Sequence, residues 1–214
     1  MTDDTTLAQL LISRLCHDLV GPAGAVNAGL ELADEGGLDE ATLDLMTTSA
    51  GEMTRRLSYF RIVFGAATGK LSPDGTFNAT EIRALALSLI NPSKIILDWP
   101  EDAHAPNAFP AEQGKMLLLL ILLGSESLPR GGQLSVHAAK LPEGLGLAVS
   151  ASGEGARLRD DVVDALGASS VHNLTPRNVH GYFTQLLARQ LHGQVDLVRE
   201  NENEIRLTAL FPSA

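Results

Sequence analysis

The 214-residue chain carries a single cysteine, Cys16. It can build neither an internal disulfide framework nor a cysteine-rich metal site, which fits a reducing cytoplasm. Aromatic residues make up only 4%, too few for a base-stacking surface. Positive charge is scarce as well: 16 Lys and Arg stand against 26 Asp and Glu, a formal net charge of −10. Nucleic acid and anionic lipid both call for basic patches, so no nucleic-acid and no membrane partner is expected. Long apolar runs are missing too. The most apolar, Met116 to Leu123, spans eight residues, against the roughly 20 of a bilayer span. The acidic start Met1-Thr2-Asp3-Asp4 lacks the basic region of a signal peptide. These absences predict a soluble cytoplasmic protein.

Apolar residues are nonetheless 44% of the chain, enough for real cores. The first third reads as helix. Thr5 or Thr6 can cap a pattern that runs to about Asp34, where Gly36-Gly37 stops it. Asp39 is a plausible cap for a second helix. There Leu43, Met46, Ala50, Met53, Leu57, Phe60 and Phe64 follow at spacings of 3, 4, 3, 4, 3 and 4, a heptad seam. The short link folds the helices back antiparallel. One pair cannot cover such seams on both sides, so a second copy is expected to complete a homodimeric four-helix bundle.

His17 stands in the first helix within Ser13-Arg14-Leu15-Cys16-His17-Asp18-Leu19-Val20-Gly21-Pro22. A metal site would want a second ligand three or four positions away, where Ser13, Arg14, Val20 and Gly21 stand. A nucleophilic pair fails because Cys16 points about 100° away around the helix. A phosphoryl acceptor asks only for an exposed imidazole with one free nitrogen and room for a partner. The helical face of His17 offers that room: Ser13, Gly21, Gly24 and Ala28 are all small. Solvated helix faces rarely carry glycine, which costs about 1 kcal/mol against alanine. Asp18 can bond one ring nitrogen and fix the tautomer, or be simply a solvated charge. Arg14 can steady a phosphoryl oxygen or an acidic partner, or be a surface arginine. Pro22 removes the donor to the Asp18 carbonyl and predicts a bend one turn after His17. His104, His137, His172 and His180 have no metal-ligand spacing among them, and His192 suits a helix C-terminus.

Gly65 to Asn78 is rich in Gly, Pro and small polar residues and reads as a linker. Domains are placed at 1–68 and 76–214. The second is predicted as α+β: helices at 79–90, 110–128 and 175–191, and strands at 94–99, 133–140, 145–151, 195–199 and 205–210. The sheet should be mostly antiparallel with helices on one face.

Cys16-His17-Asp18-Leu19-Val20-Gly21-Pro22 resembles the H-box of sensor histidine kinases, which opens their dimerisation and phosphotransfer hairpin. Residues 117–132, ending Leu128-Pro129-Arg130-Gly131-Gly132, resemble the N-box helix of the kinase ATP-binding domain, an α/β sandwich. Ser150 to Gly155 resembles the Asp-x-Gly-x-Gly box, and Gly181 to Gly193 the last glycine-box helix. The register of that resemblance puts Leu119 and Leu123 where the family has its magnesium- and phosphate-holding asparagines, and Ala151 where it has the adenine-reading aspartate. Leucine cannot ligate magnesium. The lid stretch Ser169 to Val179 has no glycine pair. The pattern is thus similar to the ChpT-type histidine phosphotransferases, dimeric proteins of alphaproteobacterial cell-cycle relays. This resemblance implies transfer from the receiver aspartate of a hybrid kinase (CckA-like) through His17 to response regulators (CtrA-like, CpdR-like). It implies no cofactor in this chain, with Mg²⁺ supplied by the receiver. An atypical ATP-dependent kinase and a noncatalytic receiver-binding regulator are the competing expectations.

Overall fold

The computed structural model describes residues 3–65, 75–100 and 105–212 and opens with two long helices. Helix α1 (Asp3–Gly36) continues through Pro22, which withdraws one backbone donor without ending it. Gly37 takes φ +85° and returns its N–H to the Ala33 carbonyl at 3.0 Å. Asp39 then caps α2 (Glu40–Val63) by accepting from the Thr42 N–H at 2.7 Å. The helices lie antiparallel. They meet closely at Gly29, where a Cβ would stand 2.3 Å from Cγ of Met46.

The anticipated seam on α2 is only partly covered within one chain. Phe60 is buried and Met46, Ala50 and Met53 half-buried, while Leu43 and Leu57 remain 50% and 42% exposed. Most of the anticipated linker, residues 66–74, lies outside the described residues. Its last three residues are strand β1 (Thr76–Asn78), which pairs antiparallel with β3 (Ala108–Pro110). Both strands are too short to read from periodicity. Asn78 accepts from the Thr80 N–H at 2.8 Å and caps α3 (Ala79–Leu89).

Strand β2 (Ile95–Asp98), helix α4 (Ala111–Glu126), β4 (Gly132–Leu141), β5 (Gly144–Ser152), β6 (Val195–Asn201) and β7 (Glu204–Pro212) fall where the sequence places them. The five-stranded sheet has the order β2-β4-β5-β7-β6, antiparallel except for the parallel pair β2–β4. Its strands alternate as period-2 patterning requires. Leu134, Val136, Leu147, Val149, Leu207 and Phe211 point into the core, and the opposite face is more open.

Beyond β1 and β3, the sequence reading needs two corrections in this half. Helix α6 spans Val179–Gln190 and begins after, not at, Thr175. Residues 175–178 form a turn in which Asn178 Oδ1 accepts from the Thr175 N–H at 2.7 Å. Helix α5 (Asp160–Gly167) was not anticipated; it is only eight residues long.

Helix α4 is buried on all sides from Gly114 to Gly124 because it runs between the sheet and the other helices. The base of the hairpin joins this core through Tyr59, Phe60, Ile62 and Val63. The Tyr59 hydroxyl donates to the Leu118 carbonyl inside it, and Phe64 meets Phe183 edge-on at 5.8 Å. Near the start of α1, Leu7 packs with Ala165, Val171, Val179 and Tyr182. The hairpin is therefore seated on the second domain at the feet of both its helices. Among the described residues no helix is long and apolar enough to cross a membrane.

Candidate functional site

His17 projects from α1 with 64% of its side chain exposed. Its Nδ1 lies 3.2 Å from Oδ1 of Asp18. An ionised carboxylate only accepts, so the ring nitrogen facing it is the one that carries hydrogen, and Nε2 keeps its lone pair. The other oxygen of Asp18, Oδ2, accepts from Nε of Arg14 at 2.8 Å.

Ser13, Gly21, Gly24 and Ala28 are all exposed along α1, Ser13 and Gly21 within about a turn of His17. At Gly21 and at Gly24 a Cβ would have nothing within 4 Å. The strip is open in this chain, and the close approach between the hairpin helices is made one position further round, at Gly29. Cys16 is exposed as well.

Arg14 is placed differently from its expected role. It is 7% exposed and turned away from solvent. Its guanidinium contacts Nδ1 of His180 at 2.9 Å, the Arg177 carbonyl at 3.3 Å and a carboxylate oxygen of Glu126. It therefore does not stand ready for a phosphoryl oxygen. Arginine has only donors, so His180 Nδ1 accepts here, and His180 Nε2 donates to Glu126 Oε2 at 2.9 Å. Burial pushes Glu126 up. The hydrogen bond and electrostatic attraction of His180, then the charge and hydrogen bond of Arg14, outweigh it and hold the carboxyl at about 2. Burial likewise works against the Arg14 charge, but Glu126 and Asp18 outweigh it and raise its pKa.

Glu126 and His180 were missed by sequence reasoning. His180 was read as one of several unremarkable histidines, and Glu126 lies 112 positions from Arg14. The one local signal is an acid closing α4 just after its apolar run Met116–Leu123. His104 lies outside the described residues.

The places that resemble nucleotide contacts are filled by core. Leu119, Leu123 and Ala151 are each 0% exposed. None offers an oxygen to magnesium or an acceptor to adenine, so the residues present do not fit ATP. The two retained glycines have their N–H groups engaged internally: Gly153 with the Asn203 carbonyl at 2.9 Å and Gly155 with Asn203 Oδ1 at 3.0 Å. Among the described residues no group of three or more His, Cys, Asp or Glu side chains could hold a metal.

Residues 79–203 match the family described as histidine phosphotransferase C-terminal domain. Protein phosphotransferase ChpT of Brucella abortus (strain 2308) is 32% identical over 185 residues, 86% of each chain. A solved bacterial phosphotransferase shares 28% identity and a TM-score of 0.82 over 98% of each chain. The histidine kinase AdeS of Acinetobacter baumannii shares the fold alone, with a TM-score of 0.52 and 14% identity over 92% of this chain and 97% of its own.

Proposed function

The chain belongs to the histidine phosphotransferase family, and on that premise we propose that His17 relays a phosphoryl group between the aspartates of two receiver domains. The observation that carries this is the exposed imidazole, with Nδ1 on Asp18 and an open strip of small residues beside it. Nε2 attacks the phosphorus of an aspartyl phosphate in line with the leaving oxygen. The P–N bond forms, the P–O bond breaks, and the receiver keeps a free carboxylate. The ring gains positive charge, and its Nδ1–H already faces the Asp18 carboxylate, so no proton has to move. The reverse step on a second receiver completes the relay. Catalysis is then mainly positioning and charge compensation.

Ser13, Gly21, Gly24 and Ala28 would receive the receiver surface. The donor is the receiver of a hybrid kinase of the CckA kind, and the acceptors are response regulators like CtrA and CpdR. Magnesium comes with the receiver. ATP has no role, because Leu119, Leu123 and Ala151 cannot hold it. The setting is cytoplasmic.

The working form is a homodimer. Ala8, Leu11, Ile12, Leu15, Leu57 and Phe64 line an apolar groove of about 630 Å³ between α1 and α2, with Ile12 61% and Leu57 42% exposed. A second hairpin would cover it as a four-helix bundle. Leu57→Glu should yield a monomer in analytical ultracentrifugation.

The deciding experiment mixes the full-length chain with a phosphorylated receiver domain. Label should move onto the wild type, and none onto His17→Ala. Onward transfer at normal rates with His17→Ala would sink the reading, and so would labelling of His17 by ATP alone.

A further inference from the structure

We propose that Arg14, Glu126 and His180 are positioning residues through which the C-terminal domain sets the tautomer and orientation of His17. The inference rests on His17 being the phosphoryl carrier. Five side chains form one continuous line across three helices: His180 on α6, Glu126 on α4, and Arg14, Asp18 and His17 on α1. All three guanidinium nitrogens of Arg14 are engaged, with Nε on Asp18 and the other two on Glu126, His180 and the Arg177 carbonyl. A planar fork held at three corners cannot turn. The direction of its Nε–H is therefore fixed by α4 and α6, and that N–H holds Asp18 Oδ2.

Without the second domain, Arg14 and Asp18 would be an ordinary pair four residues apart on an exposed helix. Such pairs contribute about 0.3–0.5 kcal/mol, too little to hold a carboxylate in one rotamer. Here Arg14 is 7% exposed, and the side chain of Asp18 only 12%. The carboxylate is locked, and its remaining oxygen meets His17 Nδ1. The charges point the same way. Arg14 is one cation between two carboxylates, Asp18 and Glu126, so its charge is shared. Asp18 then keeps negative potential for a ring that becomes cationic when Nε2 is phosphorylated. A domain whose nucleotide positions are filled with leucine and alanine thus retains a task at the reacting histidine.

A purely structural clamp between the domains would hold the hairpin in place but leave the His17 tautomer to itself, and this difference is measurable. The full-length protein carries ¹⁵N-labelled histidine, with His17→Ala identifying the His17 signals in long-range ¹⁵N–¹H spectra. The wild type should show His17 mainly in its Nδ1–H form. Arg14→Lys, which keeps the charge and loses the fork, should shift the tautomer ratio several-fold toward Nε2–H. Glu126→Gln, nearly isosteric, should shift it the same way, and the dispersed amide spectrum of each variant shows that it is folded. With a receiver domain phosphorylated by acetyl phosphate, the transfer rate at saturation should fall about tenfold in Arg14→Lys. The half-saturating receiver concentration should stay unchanged. A folded variant with the wild-type tautomer ratio overturns the proposal, whatever its transfer rate. If wild-type His17 accepts no phosphoryl group, the relay reading fails, while the tautomer arm still decides this one.

Discussion

Gly29 of α1 lies so close to Met46 of α2 that a Cβ on it would stand 2.3 Å from the Met46 Cγ. A few residues earlier on the same helix, Gly24 has nothing within 4 Å of that position. The two glycines should answer one substitution with opposite signs. Gly29→Ala should destabilise by about 1–3 kcal/mol through overpacking. Gly24→Ala should stabilise by up to about 1 kcal/mol, because alanine is the better helix former. Urea unfolding of both variants reads the difference, and a destabilised Gly24→Ala would show that the strip beside His17 is not open.

Tyr59 is fully buried, and its hydroxyl reaches the Leu118 carbonyl in the middle of α4. Burial first, with Glu126 adding to it, pushes the phenol well above its usual range, so it stays neutral and donating. Tyr59→Phe keeps the ring packing and removes the donor. Stability should fall by about 1 kcal/mol. Because the bond ties the hairpin's foot to the second domain, amide exchange should quicken first along the end of α2. Unchanged exchange there would mean that packing alone seats the hairpin.

The carboxyl of Glu126 is held at about 2, against 4.5 in the unfolded chain. A depressed acid stabilises the fold fully above its unfolded pKa, and that contribution drains away as pH falls toward the folded value. Glu126 should therefore contribute up to roughly 3 kcal/mol near neutrality, lost between about pH 5 and 2. In Glu126→Gln this segment of the stability curve should be missing. Urea midpoints of the two proteins should differ most at pH 6 and converge near pH 2. Parallel curves over that range would rule out Glu126 as their source.

The hairpin was legible because its signals are local. Gly37 ends α1 through its backbone and Asp39 begins α2 through its own carboxylate, and both act where they were read. The alternating strands β4, β5 and β7 were legible for the same reason. The surroundings of Arg14 were not. Its position four residues before Asp18 is visible in the sequence, but its burial depends on Glu126 and His180, 112 and 166 positions away. No periodicity encodes such a contact. The turn at 175–178 misled for a subtler reason: Thr175-Pro176 is a good helix start, but Asn178 takes the Thr175 N–H and delays the helix.

Leu119 and Leu123 turn their side chains into the core of the second domain, and Ala151 does so from β5. Restoring polar residues there should therefore not restore a nucleotide site. Leu119→Asn or Leu123→Asn would bury an amide with no partner and remove apolar contact, each costing about 3 kcal/mol or more. Ala151→Asp would set a carboxylate at a position that is 0% exposed. A working site would raise the melting temperature on addition of magnesium and ATP, because a ligand that binds only the folded state stabilises it by mass action. The expected result is a lower melting temperature for each single variant and no rise with nucleotide. A variant as stable as the parent that melts higher with ATP would show a latent pocket behind α4. That outcome would return the atypical kinase to consideration, since His17 would then have a donor in its own chain.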